Sequence, residues 1–148
     1  MPTVARARTL PAAPQAVWEV LSDPYHLPRW WPRVERVEDA TAEAWTTVRR
    51  SSSGRAVRAD YTRTDARRPR RLAWRQEIEE TPFERVFREA LTEITLEPDG
   101  DAATRVELKA VQRLRGRSRF GGFLARRAAK RQLDAALDGL ERVFGDGA

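Results

Sequence analysis

From residue 43 to residue 114 this chain alternates apolar and polar side chains with a period of two, and from 118 to 144 the period changes to 3.6. No other feature limits the fold so far, because short period-two runs mark strands buried on one face and a 3.6 period marks a helix buried on one side. Glu43 to Arg50 carries Trp45, Thr47 and Val48, and Ala56 to Thr64 sets Val57, Ala59 and Tyr61 against Arg58, Asp60 and Thr62. Leu72, Trp74, Gln76 and Ile78 then alternate with Ala73, Arg75, Glu77 and Glu79, so one face is apolar except for a single amide. Ala90, Thr92, Ile94 and Leu96 form a further face, which stops at Pro98-Asp99-Gly100-Asp101, a hairpin signal. Thr104, Val106, Leu108, Ala110, Gln112 and Leu114 return from it. Consecutive strands on short links predict an antiparallel sheet.

The flanks complete the pattern. Val4 to Leu10 reads as a first strand, and Pro14 opens a short helix over residues 14 to 22, where a missing N–H costs nothing and Val17, Trp18, Val20 and Leu21 give an apolar face. Pro24, Pro28 and Pro32 forbid a long continuation and leave Trp30 and Trp31 on stiff, irregular chain. In the terminal helix Ala125, Ala129, Leu133, Ala136, Leu140 and Val143 share one side, with Arg127, Lys130, Arg131, Asp134, Asp138, Glu141 and Arg142 opposite. Lys130 with Asp134, and Asp138 with Arg142, are spaced for i,i+4 ion pairs.

At 148 residues and 41% apolar the chain suits one core and is short for two, so a single domain over residues 1–148 is expected. No run approaches the roughly 20 apolar residues of a membrane span, and MPTVARARTL lacks the apolar stretch of a signal peptide, so a cytoplasmic location is expected. With no cysteine and one histidine, His26, there is no disulfide framework, thiolate nucleophile, thiolate metal site or histidine cluster. No metal and no cofactor is therefore expected. The formal charge of +6 does not by itself indicate nucleic acid as a partner, since 26 of the 28 basic residues are arginine, a skew of composition rather than of one surface.

The order of strand, short helices, about six strands and one long helix, with APQAVWEVLSDP near the start, PRWWP after it and LTEITLEPDGDAATRVEL at the hairpin, resembles the polyketide cyclase/dehydrase and lipid-transport family. That family lies within the START-like superfamily typified by the birch-pollen allergen. The resemblance implies an α+β helix-grip fold: a curved antiparallel sheet of about seven strands wrapped around a long C-terminal helix, with two short helices after strand 1 and an elongated cavity between sheet and helix. Alanines on the helix face opposite Trp45, Tyr61 and Trp74 suit either close interdigitation or unfilled volume, and the resemblance favours the second.

Such a cavity is expected to take its lining from Trp31, Tyr61, Trp74, Gln76, Phe83, Phe87, Thr92, Phe120, Ala129 and Leu133. Of Trp30 and Trp31, one should pack the short helices to the sheet and the other face the cavity mouth, with Trp31 the candidate for the second role. Three function classes follow. The first is a carrier or sensor of a hydrophobic small molecule such as a lipid or a polyketide-like aromatic. The second is a cofactor-independent aromatase/cyclase or dehydratase, for which no catalytic residue is assigned, because Glu77, Glu89 and Glu93 fall on the outward parity. The third uses the segment from Leu108 to Leu133, which holds nine basic residues and no acidic one. Cations early in a helix gain nothing from its dipole, so a docking face of Arg119, Phe123, Arg126, Arg127 and Arg131 on anionic membrane is the functional alternative to a merely solvated one, with RNA a lesser candidate.

Overall fold

The computed structural model describes residues 3–51, 53–116 and 119–145, the side chains of Arg119 and Phe120 excepted. Seven strands form one antiparallel sheet: β1 (Thr3–Leu10), β2 (Val34–Glu38), β3 (Ala44–Arg50), β4 (Ala56–Arg67), β5 (Arg71–Glu77), β6 (Phe87–Pro98) and β7 (Thr104–Leu114). Their spatial order is β1-β7-β6-β5-β4-β3-β2, so only the link from β1 to β2 crosses the sheet. That link carries the helices α1 (Pro14–Ser22) and α2 (Leu27–Trp30), separated by a 3-10 turn at Pro24–His26. The chain ends in the 27-residue helix α3 (Arg119–Gly145), gripped by the sheet's inner face.

Local chemistry accounts for the boundaries. Pro14 starts α1, and Asp23 accepts the Tyr25 N–H at 3.0 Å to cap the turn that follows. In the β6–β7 hairpin Gly100 takes φ +78°, the left-handed conformation that glycine adopts without a Cβ penalty, and Asp99 N–H donates to the Ala103 carbonyl at 2.9 Å. Thr104, fully buried at the start of β7, donates from its hydroxyl to the Ala12 carbonyl at 2.7 Å and so ties the β1–α1 link to the strand that pairs with β1.

The register puts one side chain set inward throughout. Val4 pairs with Ala110, Ala110 with Thr92, Thr92 with Trp74, Gln76 with Tyr61, and Tyr61 with Trp45. Along these faces the residue type changes from one end of α3 to the other. Leu72, Ile94, Leu96, Val106 and Leu108 close on Leu137 and Leu140 and are all fully buried. Further along, the same strands carry Trp74, Gln76, Thr92, Ala90, Ala110 and Gln112, and α3 answers with Gln132, Ala129, Ala128 and Ala125. Branched aliphatics fill one end, and small helical residues leave room at the other.

α2 crosses α3 at Gly139, where a Cβ would lie 2.2 Å from the Trp30 carbonyl oxygen. Only glycine allows that approach. The acidic residues of α3 differ from expectation: Asp134 pairs with Arg6 at 3.3 Å, Asp138 with Arg8 at 2.5 Å and Glu141 with Arg8 at 3.1 Å. Lys130 and Arg142 are not their partners. The i,i+4 spacing is met on the helix, but β1 brings two arginines onto the same flank, and the long-range pairs form instead.

Candidate functional site

The wide end of the grip holds two connected spaces. The inner one, about 60 Å³, lies among Leu27, Trp31, Val34, Trp45, Tyr61 and Trp74, with Ala90, Thr92, Ala110 and Leu133 along its floor. The outer one, about 590 Å³, is a vestibule bounded by Phe83 and Phe87 on one side and by Ala125, Ala128, Ala129 and Arg131 of α3 on the other. Four side chains border both spaces, and all four are polar: Arg49 of β3, Gln76 of β5, Gln112 of β7 and Gln132 of α3. They form a collar between an apolar chamber and an open mouth.

The chamber walls are a continuous aromatic chain. Trp30 and Trp31 meet edge to face at 5.4 Å, Trp31 and Trp74 at 6.0 Å, and Trp74 and Trp45 at 5.6 Å. Trp45 then stacks on Tyr61 at 6.0 Å with an interplanar angle of 13°. Edge-to-face contacts add to the burial of large rings and fix their orientation, so the chamber keeps its shape without a ligand to hold it. Arg63 closes the outer side of this chain, its guanidinium 5.3 Å over the Trp45 ring and donating to the Ser22 carbonyl at 2.7 Å. Burial lowers the Arg63 pKa, and Asp23 offsets part of the effect.

Tyr61 sits deep in the site, and its remaining accessible surface is that of a residue bordering the chamber. Desolvation pushes its phenol pKa up, with Arg49 and Thr47 opposing more weakly. Thr47 approaches the phenol, yet its own Oγ1 is buried and completes no hydrogen bond. Arg49 lies beside the Tyr61 phenol and meets no carboxylate, and Gln76, Gln112 and Gln132 show no side-chain partner among the described residues. Among the described residues the linings of both spaces contain neither a carboxylate nor a histidine. The arrangement can therefore donate hydrogen bonds and present positive charge, but it offers no proton acceptor of the usual kind.

The residues singled out from the sequence distribute as follows. Trp31, Tyr61, Trp74, Gln76, Thr92 and Leu133 line the chamber; Gln76, Phe83, Phe87 and Ala129 line the vestibule. The Phe120 side chain lies outside the described residues, as does that of Arg119. Phe123, Arg126, Arg127 and Arg131 are exposed on α3, with Arg131 at the vestibule edge. Trp30 is the tryptophan that seals α2 to α3, at 2% exposure, while Trp31 faces the chamber. Sequence reasoning missed Arg49, Gln112 and Gln132. Gln112 shares its parity with Ala110, and Arg49 shares its parity with Trp45 and Thr47. A polar side chain on an inward parity was the available signal.

The sequence profile of the family described as polyketide cyclase/dehydrase and lipid transport matches residues 1–145. The chain belongs to this family. Solved structures with the same fold include XoxI from Bacillus cereus, at TM-score 0.79 and 15% identity, with 99% of this chain and 97% of that one covered. A START superfamily protein from Mycobacterium smegmatis matches at TM-score 0.79 and 12% identity over 99% of both chains. The di-domain ARO/CYC protein BexL of the BE-7585A biosynthetic pathway matches at TM-score 0.80 and 20% identity, covering 96% of this chain and 46% of that one. No protein of curated function matches the sequence. At such identities the structures speak for the fold, and family membership adds an association with hydrophobic ligands or cyclase chemistry.

Proposed function

We propose that this protein binds a hydrophobic small molecule, a lipid or a polyketide-like aromatic, as a carrier or sensor. A small apolar end enters the chamber between Trp31, Trp45 and Trp74, an oxygen-bearing group is held at the collar, and the bulk of the molecule lies in the vestibule. One observation supports this above the rest: four polar side chains, none of them paired with a carboxylate among the described residues, converge at the neck of an aromatic chamber. Each of the four is half-buried at the neck, so its remaining hydrogen-bonding capacity faces the space that a ligand would occupy. A ligand oxygen supplies the missing acceptor for Arg49 and for the amide N–H groups. Thr92 and Leu133 form the floor beneath it, and Phe83, Phe87 and Ala129 flank its path out.

The test is mass spectrometry of small molecules extracted from the purified protein, followed by thermal-shift titration with a lipid and aromatic panel. A retained apolar compound that raises the melting temperature, and whose effect is lost in Trp74→Ala, is the expected result. An empty extract together with no shift across the panel counts against the reading.

A second reading, a cyclase or dehydratase acting on a poly-β-keto chain, is favoured by the position of the Tyr61 phenol in the chamber beside Arg49. A phenol held protonated is a donor to a developing enolate oxygen, not a base. This reading requires turnover that Tyr61→Phe abolishes while ligand affinity survives.

A further inference from the structure

Among the described residues four large apolar side chains are substantially exposed, and three of them lie within two residues of vestibule-lining positions: Val86 at 52%, Phe123 at 60% and Leu124 at 48%. Val86 lies between the 3-10 turn Pro82–Arg85 and Phe87 at the head of β6, and Phe123 and Leu124 immediately precede Ala125 on α3. Phe87 and Ala125 are opposing walls of the vestibule, so the exposed apolar groups come from the two elements that bound it, Leu124 and Val86 next to its walls and Phe123 on the outer side of the first turns of α3. The fourth, Tyr25, is elsewhere and its hydroxyl accepts the Ala40 N–H at 3.3 Å.

The charge around this rim differs from that on the sheet exterior. There, arginines are matched to carboxylates: Arg50 to Glu35 at 2.6 Å, Arg75 to Glu77 at 3.0 Å, Arg71 to Asp65 at 2.9 Å. On the rim Glu84 pairs with Arg115 at 3.8 Å, while Arg85, Arg126, Arg127 and Arg131 are exposed and none of these four forms an ion pair among the described residues. Three of these lie in the N-terminal half of α3, where the helix dipole disfavours cations, so helix stability does not account for them.

From this juxtaposition we propose that the vestibule rim docks on an anionic lipid bilayer, with Val86, Phe123 and Leu124 entering the interface and the arginines contacting headgroup phosphates. Exposed aromatic and aliphatic tips ringed by cations fit such a surface on both counts. A second copy of this chain fits poorly, because self-association through the rim brings like charges together. A purely polyanionic partner such as RNA gives Leu124 and Val86 nothing to bury against. In the docked orientation the vestibule opens onto the membrane, and a hydrophobic molecule passes between bilayer and chamber without crossing water. The docking stands on the surface alone and does not depend on what the chamber holds.

The experiment is co-sedimentation of the full chain with extruded vesicles of phosphatidylcholine, with or without about 30 mol% phosphatidylglycerol, at about 0.05 M and about 0.5 M salt. Sedimentation is expected with the anionic vesicles at low salt and should fall steeply at high salt. Arg126→Glu with Arg127→Glu should lower partitioning on the order of a hundredfold, each basic residue being worth roughly a fivefold factor before reversal. Phe123→Ser with Leu124→Ser should also reduce it by at least about tenfold, since both side chains would no longer be buried in the interface. All four positions are exposed, so unchanged melting temperatures are expected and separate docking from folding. Protein that stays in the supernatant with anionic vesicles overturns the proposal, and an acidic protein then becomes the partner to seek. Sedimentation that survives either pair of substitutions overturns it as well.

Discussion

Arg49 is the residue where stability and binding should separate. Its guanidinium borders the chamber and the vestibule beside the Tyr61 phenol and meets no carboxylate among the described residues, so no opposite charge offsets it in the folded state. A charge of this kind costs stability unless paired. Arg49→Met, which keeps the length and removes the charge, should therefore leave the unfolding free energy unchanged or raise it by up to about 1 kcal/mol, while weakening an oxygen-bearing ligand at least about tenfold. Denaturant titration and ligand titration on the same variant check both signs. An arginine with a merely structural role would destabilise the fold on removal and leave a bound ligand's affinity unmoved. Trp74 should behave in the opposite way, because it touches both Trp31 and Trp45 and is 4% exposed. Trp74→Ala should cost about 3–5 kcal/mol in addition to ligand affinity.

At the scale of elements, two contacts carry the frame that holds the chamber open. The first is the crossing of α2 over α3. Gly139→Ala places a methyl carbon 2.2 Å from the Trp30 carbonyl oxygen, a clash with backbone that no side-chain rotation relieves. A loss of about 3 kcal/mol or more, or failure to fold, is expected from thermal or denaturant unfolding. The second is the outer face of β2 to β5. Glu38 is held below its ordinary value by hydrogen bonds from Arg36 and then Arg58, Glu35 by Arg50, and Glu77 by the Thr62 hydroxyl and Arg75. All three carboxyls titrate lower in the folded chain than in the unfolded one, so the stability they add is present above about pH 4.5 and is lost as the pH falls through their folded values. The urea midpoint should fall between about pH 6 and about pH 3, and replacing the three glutamates by glutamine should flatten that decline.

These same elements show what could be read in the chain beforehand. Strands β3 to β7 and the helix face of Ala129 and Leu133 were legible because each buries one side, which writes its period into the sequence. β2 was not placed: its pairing with β3 shifts register between Val34 and Arg36, so its two buried valines, Val34 and Val37, stand three apart and break the alternation. The aromatic members of the chamber followed from parity. Arg49 did not, since a charged residue near a strand end looks solvated, and only the closing of Gln112 and Gln132 around it makes a collar. Asp134 and Asp138 were misassigned to neighbours on their own helix because no local pattern discloses the arginines that β1 brings alongside.

At the scale of the molecule, the chamber is volume that the fold leaves unfilled. About 60 Å³ of cavity in a chain of this size forgoes roughly 1.4 kcal/mol at ~24 cal/mol per Å³. The rest of the interior is closed by fully buried aliphatics at the other end of α3, so the void reflects the choice of alanine, threonine and glutamine on particular inward positions, not a general looseness. Filling it should trade function for stability. Ala90 lies on β6 in the chamber wall and is only half-buried, so a larger side chain there has space to enter. Ala90→Leu should raise the unfolding free energy by about 1 kcal/mol, because the added carbons occupy the void without displacing packed neighbours. The same variant should bind an apolar ligand at least about tenfold more weakly, since chamber and ligand compete for one volume. Docking on anionic vesicles should be unaffected, as the rim residues are untouched. Denaturant unfolding, ligand titration and sedimentation on this single protein thus report on three different surfaces. A variant that is destabilised and still binds would mean that the chamber is already packed and that the ligand is held only in the vestibule.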